Sequence, residues 1–483
     1  MADTELFRPG QTCWRIEPAT RLAVVVDADA YFRAARAAML KAERQILLVG
    51  WDFDARIRLA FDEQDEAPTE IGDFLSFLVH RRPGLRIHIL RWDTGALKTL
   101  LRPLTLARVV RWMFDDRIQL RLDRHHPPAG SHHQKIVVVD DAVAFCGGID
   151  MTRDRWDTRE HLDEQPNRLE PDGTPYGPWH DATTAIAGPA AAALGDLCRD
   201  RWERSGGGRL PDIPDDSDRW PEGLEPTVTD VPVAIARSQP DWGGDAPIRE
   251  IEELYLALIA SARRWIYAES QYFASRRIAE AIGRRLAEPD GPEFVIVNPL
   301  HAQGWLEPIA MDSARARLVE ALHGRDPHGR LRLYHPFTAG GQPIYVHAKV
   351  TVVDDRVLRV GSSNFNNRSL RLDTECDVAL AATGDDDAVA TAIAGVRDSL
   401  LAEHLGREPG EVAETLARTG SLIRTVEALR TTPGRTLRPY EVPDLDGVRA
   451  WLADNEVLDP EGPEEMFEPF SQRGLLRRLR RRR

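Results

Sequence analysis

The feature that most constrains this chain is an eight-residue pattern that occurs twice. His133-Gln134-Lys135-Ile136-Val137-Val138-Val139-Asp140 is followed by Gly147-Gly148-Ile149-Asp150, and His347-Ala348-Lys349-Val350-Thr351-Val352-Val353-Asp354 by Gly361-Ser362-Ser363-Asn364. In both copies Lys stands two residues after His, Asp seven after His, and the first Gly seven after Asp. With 14 His and only Lys41, Lys98, Lys135 and Lys349 as lysines, a single HxKxxxxD arises by chance about 0.01 times per chain. A period of two puts His and Lys on one face of a strand. The apolar run behind them reads as a buried strand whose polar start emerges at the edge of the core.

The flanking chain repeats as well. The segment from Ala30 to Ala42 and the run Gln45 to Phe53 match Ile251 to Ala262 and Trp265 to Phe273, with an offset of 220 at Ala42/Ala262 and again at Trp51/Gln271. A second apolar run follows in each, Arg86 to Leu90 and Glu293 to Val297. Short β-branched runs alternating with helix-length segments predict α/β units around a largely buried sheet. The boundaries are a first half over 1–204, a Gly/Pro/Asp-rich linker over 205–230, and a second half over 231–440 that opens with a strand from Val231 to Ser238. The tail, 441–483, is acidic and then arginine-rich.

Of 63 basic residues all but those four lysines are arginine, so a position that keeps Lys calls for a compact point charge. Two of the four lie in the repeated pattern. The net charge of -14 argues against general nucleic-acid binding, because phosphate affinity comes mainly from Lys and Arg. No apolar run reaches the ~18 residues of a membrane span. The polar start, Met1 to Thr20, lacks a secretory segment, so a cytoplasmic location is expected. Cys13, Cys146, Cys198 and Cys376 are far apart and read as small buried residues.

These motifs resemble the phospholipase D superfamily, whose signature is HxKxxxxD followed by GSxN or GGxD. The resemblance covers roughly residues 20–410 and extends to Arg155-Trp156-Asp157, Pro178-Trp179-His180-Asp181, Glu269 to Phe273, Asn366 to Ser369 and Glu403-His404-Leu405-Gly406, a set similar to the phosphatidylcholine-type enzymes. It implies two pseudo-repeated αβα-sandwich halves with one active site at their interface, complete in a monomer, and no metal cofactor; the oligomeric state is left open. It implies that His133 is the nucleophile and His347 the general acid, although the near-symmetric motif cannot separate them. The chemistry agrees: cleaving an anionic phosphodiester needs charge neutralisation, a nucleophile and a proton donor. Lys135 and Lys349 are expected to hold the non-bridging oxygens, with Asn364, Ser362 and Gly148 as further phosphate contacts.

Asp181 and Glu375 match the family's carboxylates that orient the histidines; the rival reading makes each a solvated acid at a strand start. Asp140 and Asp354 are expected to fix loop structure, and Asp150 to stand back from an anion it would repel. Glu269 to Phe273 either lines the pocket floor or packs the core. The function implied is hydrolysis or transphosphatidylation of glycerophospholipids. The alternatives are a cardiolipin synthase-like phosphatidyl transferase, a nuclease of the same superfamily, and a degenerate membrane-binding module, which two intact copies disfavour. The last eleven residues, with Arg473, Arg477, Arg478 and Arg480 to Arg483 among Leu475, Leu476 and Leu479, read either as a peripheral anchor to the inner membrane surface or as a solvated tail held by the acidic stretch before it.

Overall fold

The computed structural model describes residues 6–93, 112, 115–128, 130–214, 218–303, 307–384, 386–430 and 434–443. Its organising element is one sheet of sixteen strands that runs through both halves. The first half contributes β1 (Arg15–Val26), β2 (Gln45–Gly50), β3 (Arg86–Trp92), β4 (Ile118–Asp123), β5 (Ile136–Val139), β6 (Val143–Gly147) and β8 (Ala182–Ala187). The second contributes β9 (Val228–Gln239), β11 (Trp265–Glu269), β12 (Glu293–Val297), β13 (Leu331–Phe337), β15 (Val350–Val353), β16 (Val357–Gly361) and β17 (Glu375–Ala381). β10 (Ile248–Arg249) pairs with β9, and β18 (Thr436–Pro439) extends the edge beyond β13. The opening strand of the second half thus begins three residues before the expected boundary.

Read outward from the centre, the order β1-β8-β6-β5-β2-β3-β4 mirrors β9-β17-β16-β15-β11-β12-β13. The duplication is therefore a pseudo-twofold arrangement, and the seam is the antiparallel pair β1/β9, with Arg15 opposite Ile235 and Leu22 opposite Val228. Within each half the motif strand lies antiparallel to the strand after the first helix: Ile46 faces Val139, and Ile266 faces Val353.

Helices cover both faces, and the alternation of side chains along each strand divides them between layers. In β2, Leu47 and Val49 join a core shared by the two halves, where the helices Pro189–Trp202 and Asp387–Leu405 pack. Ile46 and Leu48 face the opposite way, into a core with the helices Ala28–Leu40 and Ile71–Arg81. The second half builds its own equivalent with Glu250–Ser261 and Arg276–Leu286. Among the described residues no helix is long and apolar enough to cross a membrane. All four cysteines are buried thiols. The tail beyond Pro443, including the arginine-rich end, lies outside the described residues.

Candidate active site

The starts of β5 and β15 converge at the interface of the halves. The imidazoles of His133 and His347 lie with ring centroids 6.5 Å apart. Each chain segment is clamped by the other half. His133 N–H donates to Thr374 O at 2.9 Å, and His347 N–H to His180 O at 2.7 Å. The second clamp is a two-stranded parallel ribbon, β7 (Trp179–His180) with β14 (Tyr345–Val346). Thr374 and His180 each immediately precede a carboxylate, so the clamps deliver those carboxylates across the interface. His133 Nδ1 lies 3.0 Å from both oxygens of Glu375, and His347 Nδ1 lies 2.6 Å from Asp181 Oδ2. The pairing is crossed: each histidine takes its orienting carboxylate from the opposite half. Both carboxylates are fully buried, which excludes the solvated-acid reading. Held at Nδ1, each ring is left with Nε2 for a substrate.

Lys135 Nζ donates to His133 O at 2.9 Å and lies 3.1 Å from Asp150 Oδ2. Lys349 Nζ donates to His347 O and lies 3.4 Å from Gln271 Oε1; no carboxylate stands within ion-pair distance of it among the described residues. Its buried ammonium is pushed down to about 7, chiefly by burial, with Asp181 opposing and Lys135 adding to the shift. Burial, then the two lysines, hold His133 well below the ordinary imidazole range; burial, Lys349, Arg155 and Lys135 do the same to His347. Burial raises Glu375 to about 7 against the pull of Lys135, and raises Asp181 against Lys349. The site thus sets two lysines beside two poorly solvated imidazoles, so a bound anion would favour the protonated form of a ring.

Two of the phosphate contacts expected from the sequence are placed otherwise. Gly148 gives its N–H to Ala182 O at 2.8 Å, so that donor is used. Its role is steric: a Cβ here would lie 2.2 Å from Asp181 Oδ1, so any other residue would displace that carboxylate. The Ser362 hydroxyl donates to Glu375 Oε2 at 2.5 Å, and its N–H faces Asp377 Oδ1 at 3.1 Å, so it braces the partner of His133. Asn364 does lie beside Lys349, with Nδ2 3.4 Å from the same Gln271 Oε1. Asp150 pairs with the Lys135 ammonium.

Asp140 and Asp354 sit away from the rings and do the same work in each half. Asp140 accepts from the backbone N–H of Glu43, Arg44 and Gln45 at 2.7 to 2.8 Å, and Asp354 from those of Arg263, Arg264 and Trp265 at 2.6 to 2.9 Å. Each ties the turn after a helix to the neighbouring motif strand.

Three contributors lie in segments that the resemblance covers, but none of them had a role of its own to be read from the sequence. Gln271 bridges Lys349 and Asn364, and donates to Tyr345 Oη at 2.8 Å. Trp179 stacks on Tyr345 at 4.5 Å and packs against the His347 ring at 5.3 Å. Arg155 lies over Trp179 at 4.4 Å. Their signal was position: Trp179 is two residues before Asp181, and Gln271 matches Trp51 in the repeat. The Glu269–Phe273 segment divides between both expected readings, since Glu269 and Phe273 are buried while Gln271 reaches the site.

Two family models match the chain: one described as phospholipase D over residues 38–278, and one described as cardiolipin synthase, PLD-like domain, over 255–394. Phospholipase D A of Dictyostelium discoideum is 26% identical over 461 residues, covering 80% of this chain and 35% of that protein. Phospholipase D alpha 2 of Oryza sativa subsp. japonica is 27% identical over 516 residues, covering 76% of this chain and 62% of that protein. The chain thus spans between about a third and somewhat under two thirds of the length of these relatives. Among solved structures, phosphatidylserine synthase of Haemophilus influenzae Rd KW20 has a similar fold, with a TM-score of 0.54 at 14% identity over 85% of this chain and 96% of that one.

Proposed function

The chain belongs to the phospholipase D superfamily of phosphodiesterases, and from that premise we propose that it hydrolyses or transphosphatidylates glycerophospholipids through a phosphohistidine intermediate. The observation that supports this best is the crossed pair of carboxylate-anchored histidines, 6.5 Å apart, between two lysines. We take His133 as nucleophile and His347 as acid. A phosphodiester enters with its non-bridging oxygens on Lys349, Asn364 and Lys135. Nε2 of neutral His133 attacks phosphorus while the bond to the headgroup oxygen breaks and that oxygen takes the proton from His347 Nε2. His347 then removes a proton from water or an alcohol, whose oxygen attacks phosphorus and releases His133. Glu375 and Asp181 keep each ring in the tautomer that presents Nε2 and stabilise its cation.

The match of the second half to a cardiolipin synthase-type family model favours one further reading, a phosphatidyl transferase using the same site. The superfamily also includes nucleases, a reading the net charge of -14 disfavours. Incubation with defined phospholipids, with and without a small primary alcohol, separates these outcomes. Free headgroup with phosphatidic acid, diverted to phosphatidyl-alcohol, is the expected result. A phospholipid product made only with a phospholipid or phospholipid-derived acceptor identifies the transferase. No turnover of any phospholipid, with cleavage of DNA, overturns the lipid reading. Inversion at a chiral phosphorus, with no acid-labile label on His133 or His347, overturns the covalent route. Peripheral attachment through the arginine-rich tail belongs to the same proposal, and is tested by comparing binding to anionic vesicles with a chain ending at Gln472.

A further inference from the structure

Behind the positioning carboxylate Asp181 lies a second cluster that the reaction does not use. We propose that Asp27, His161, His180 and Glu403 form a binding site for one divalent transition-metal ion, best suited to zinc, that joins the two halves. Asp27 follows β1, His161 and His180 come from the same half, and Glu403 reaches in from the helix Asp387–Leu405 of the other. None is more than 4% exposed.

The four ligand atoms lie within 4.8 Å of one another. His161 Nε2 is 3.5 Å from Asp27 Oδ2 and 3.0 Å from Glu403 Oε1. His180 Nδ1 is 3.2 Å from Asp27 Oδ1 and 2.7 Å from Glu403 Oε1. Zinc ligands at about 2.0–2.2 Å in a tetrahedron stand about 3.4 Å apart, a spacing that these four distances bracket. Neutral imidazoles with two carboxylates carry two negative charges, which a divalent cation balances. Nitrogen ligands disfavour calcium and magnesium, which take oxygen.

The surroundings are those of a metal centre. Each histidine directs its other ring nitrogen at a buried carboxylate: His161 Nδ1 to Asp157 Oδ2 at 3.0 Å, and His180 Nε2 to Glu269 Oε2 at 2.9 Å. Such outer carboxylates fix the ring and raise its basicity as a ligand. Glu403 is held through its other oxygen by Arg159 Nε at 2.5 Å, and Asp27 Oδ1 accepts the Asp181 N–H at 3.0 Å. Within this otherwise saturated cluster, Asp27 Oδ2 and His180 Nδ1 are fully buried and align with no hydrogen-bond partner.

A bound ion would hold these nitrogens in their unprotonated form and supply positive charge at one point. Its effect on the reaction would be positional, through the Asp181 backbone that Asp27 holds. This departs from the absence of a metal that the family resemblance implies.

The test is zinc content and zinc-dependent stability of the full-length protein. The expected result is about one equivalent of zinc per chain, lost to a strong chelator with a fall in Tm and regained with its recovery. Asp27→Asn and Glu403→Gln should each weaken zinc binding at least tenfold. The double variant His133→Ala/His347→Ala should retain the equivalent, which separates the buried cluster from zinc caught at the catalytic rings and from failure of the proposed reaction. Wild-type protein that takes up less than a tenth of an equivalent from excess zinc, with an unchanged Tm, overturns the proposal, as does loss of the equivalent in the double variant.

Discussion

The two copies of the motif have the same backbone and different electrostatics. In the first, Asp150 stands 3.1 Å from Lys135 and cancels much of its charge before any substrate arrives. In the second, the corresponding residue is Asn364, and Lys349 has no carboxylate within ion-pair distance among the described residues. Both ammonium groups donate to the carbonyl of the histidine two residues earlier, so the contrast comes from one side chain. A duplicated scaffold therefore supplies symmetric geometry, while a single Asp-to-Asn difference gives the pocket a more positive side. A phosphodiester oxygen gains more from the lysine that is not already paired.

The largest expected effect tests what the halves share. His133→Ala and His347→Ala should each lower kcat by about a thousandfold or more, ~4 kcal/mol in barrier, with circular dichroism unchanged. A tenfold loss in either would remove that ring from the chemistry.

The crossed carboxylates come next. Glu375→Gln and Asp181→Asn each leave a ring without its acceptor and should cost about a hundredfold in kcat. Single-turnover rates should place the two variants on different steps if the rings divide nucleophile and acid; identical kinetics in both would dissolve that division.

The contrast between the lysines is third. Lys349→Met should lose about tenfold more kcat/KM than Lys135→Met, because its charge is not shared with a carboxylate. Asp150→Asn, which makes the first copy resemble the second, should bring the Lys135 and Lys349 variants closer together. Equal losses in the original background would refute the asymmetry.

The pH dependence sharpens the same point. Lys349, displaced down to about 7, is charged below that pH and neutral above it in the free protein. kcat/KM should therefore fall as pH rises through about 7, and the limb in kcat should lie higher because the bound anion favours the ammonium. Lys349→Arg should impair the rate but move the limb out of this range, since a guanidinium stays charged. A limb unmoved in that variant would assign it to another group.

The smallest effect concerns the scaffold. Asp354→Ala should cost about 1–3 kcal/mol of stability in urea titrations, and Asp140→Ala somewhat more, because Arg219 also loses one of its two carboxylate partners. Activity per folded molecule should survive in both.

Local pattern carried much of this into view. The spacing from His133 to Asp140 and from His347 to Asp354 places the rings, the lysines and the loop-fixing acids, because a strand of period two leaves few choices. The mirrored strand order follows from the repeat. The crossing of Glu375 and Asp181 does not, since periodicity describes a strand and not which edge of another half it meets. Gly148 and Ser362 misled for a related reason. A donor beside a motif reads as a ligand contact until the neighbouring strand is seen to take it, and only the distance from Gly148 to Asp181 reveals why a side chain is excluded. The buried group of Asp27, His161, His180 and Glu403 was the least legible, being spread over most of the chain.

The seam between β1 and β9 carries a consequence for any attempt to divide the protein. Twelve residues of each strand lie at the middle of the sheet, and along one edge Arg15 to Leu22 pair with Val228 to Ile235. A first half produced alone would present that long edge bare, and the cheapest remedy for a bare edge is another copy of itself. Two such copies would meet strand to strand, as the halves do here. The internal seam is in this sense a dimer contact made permanent by a covalent tether, with the second copy free to change its side chains without losing its partner.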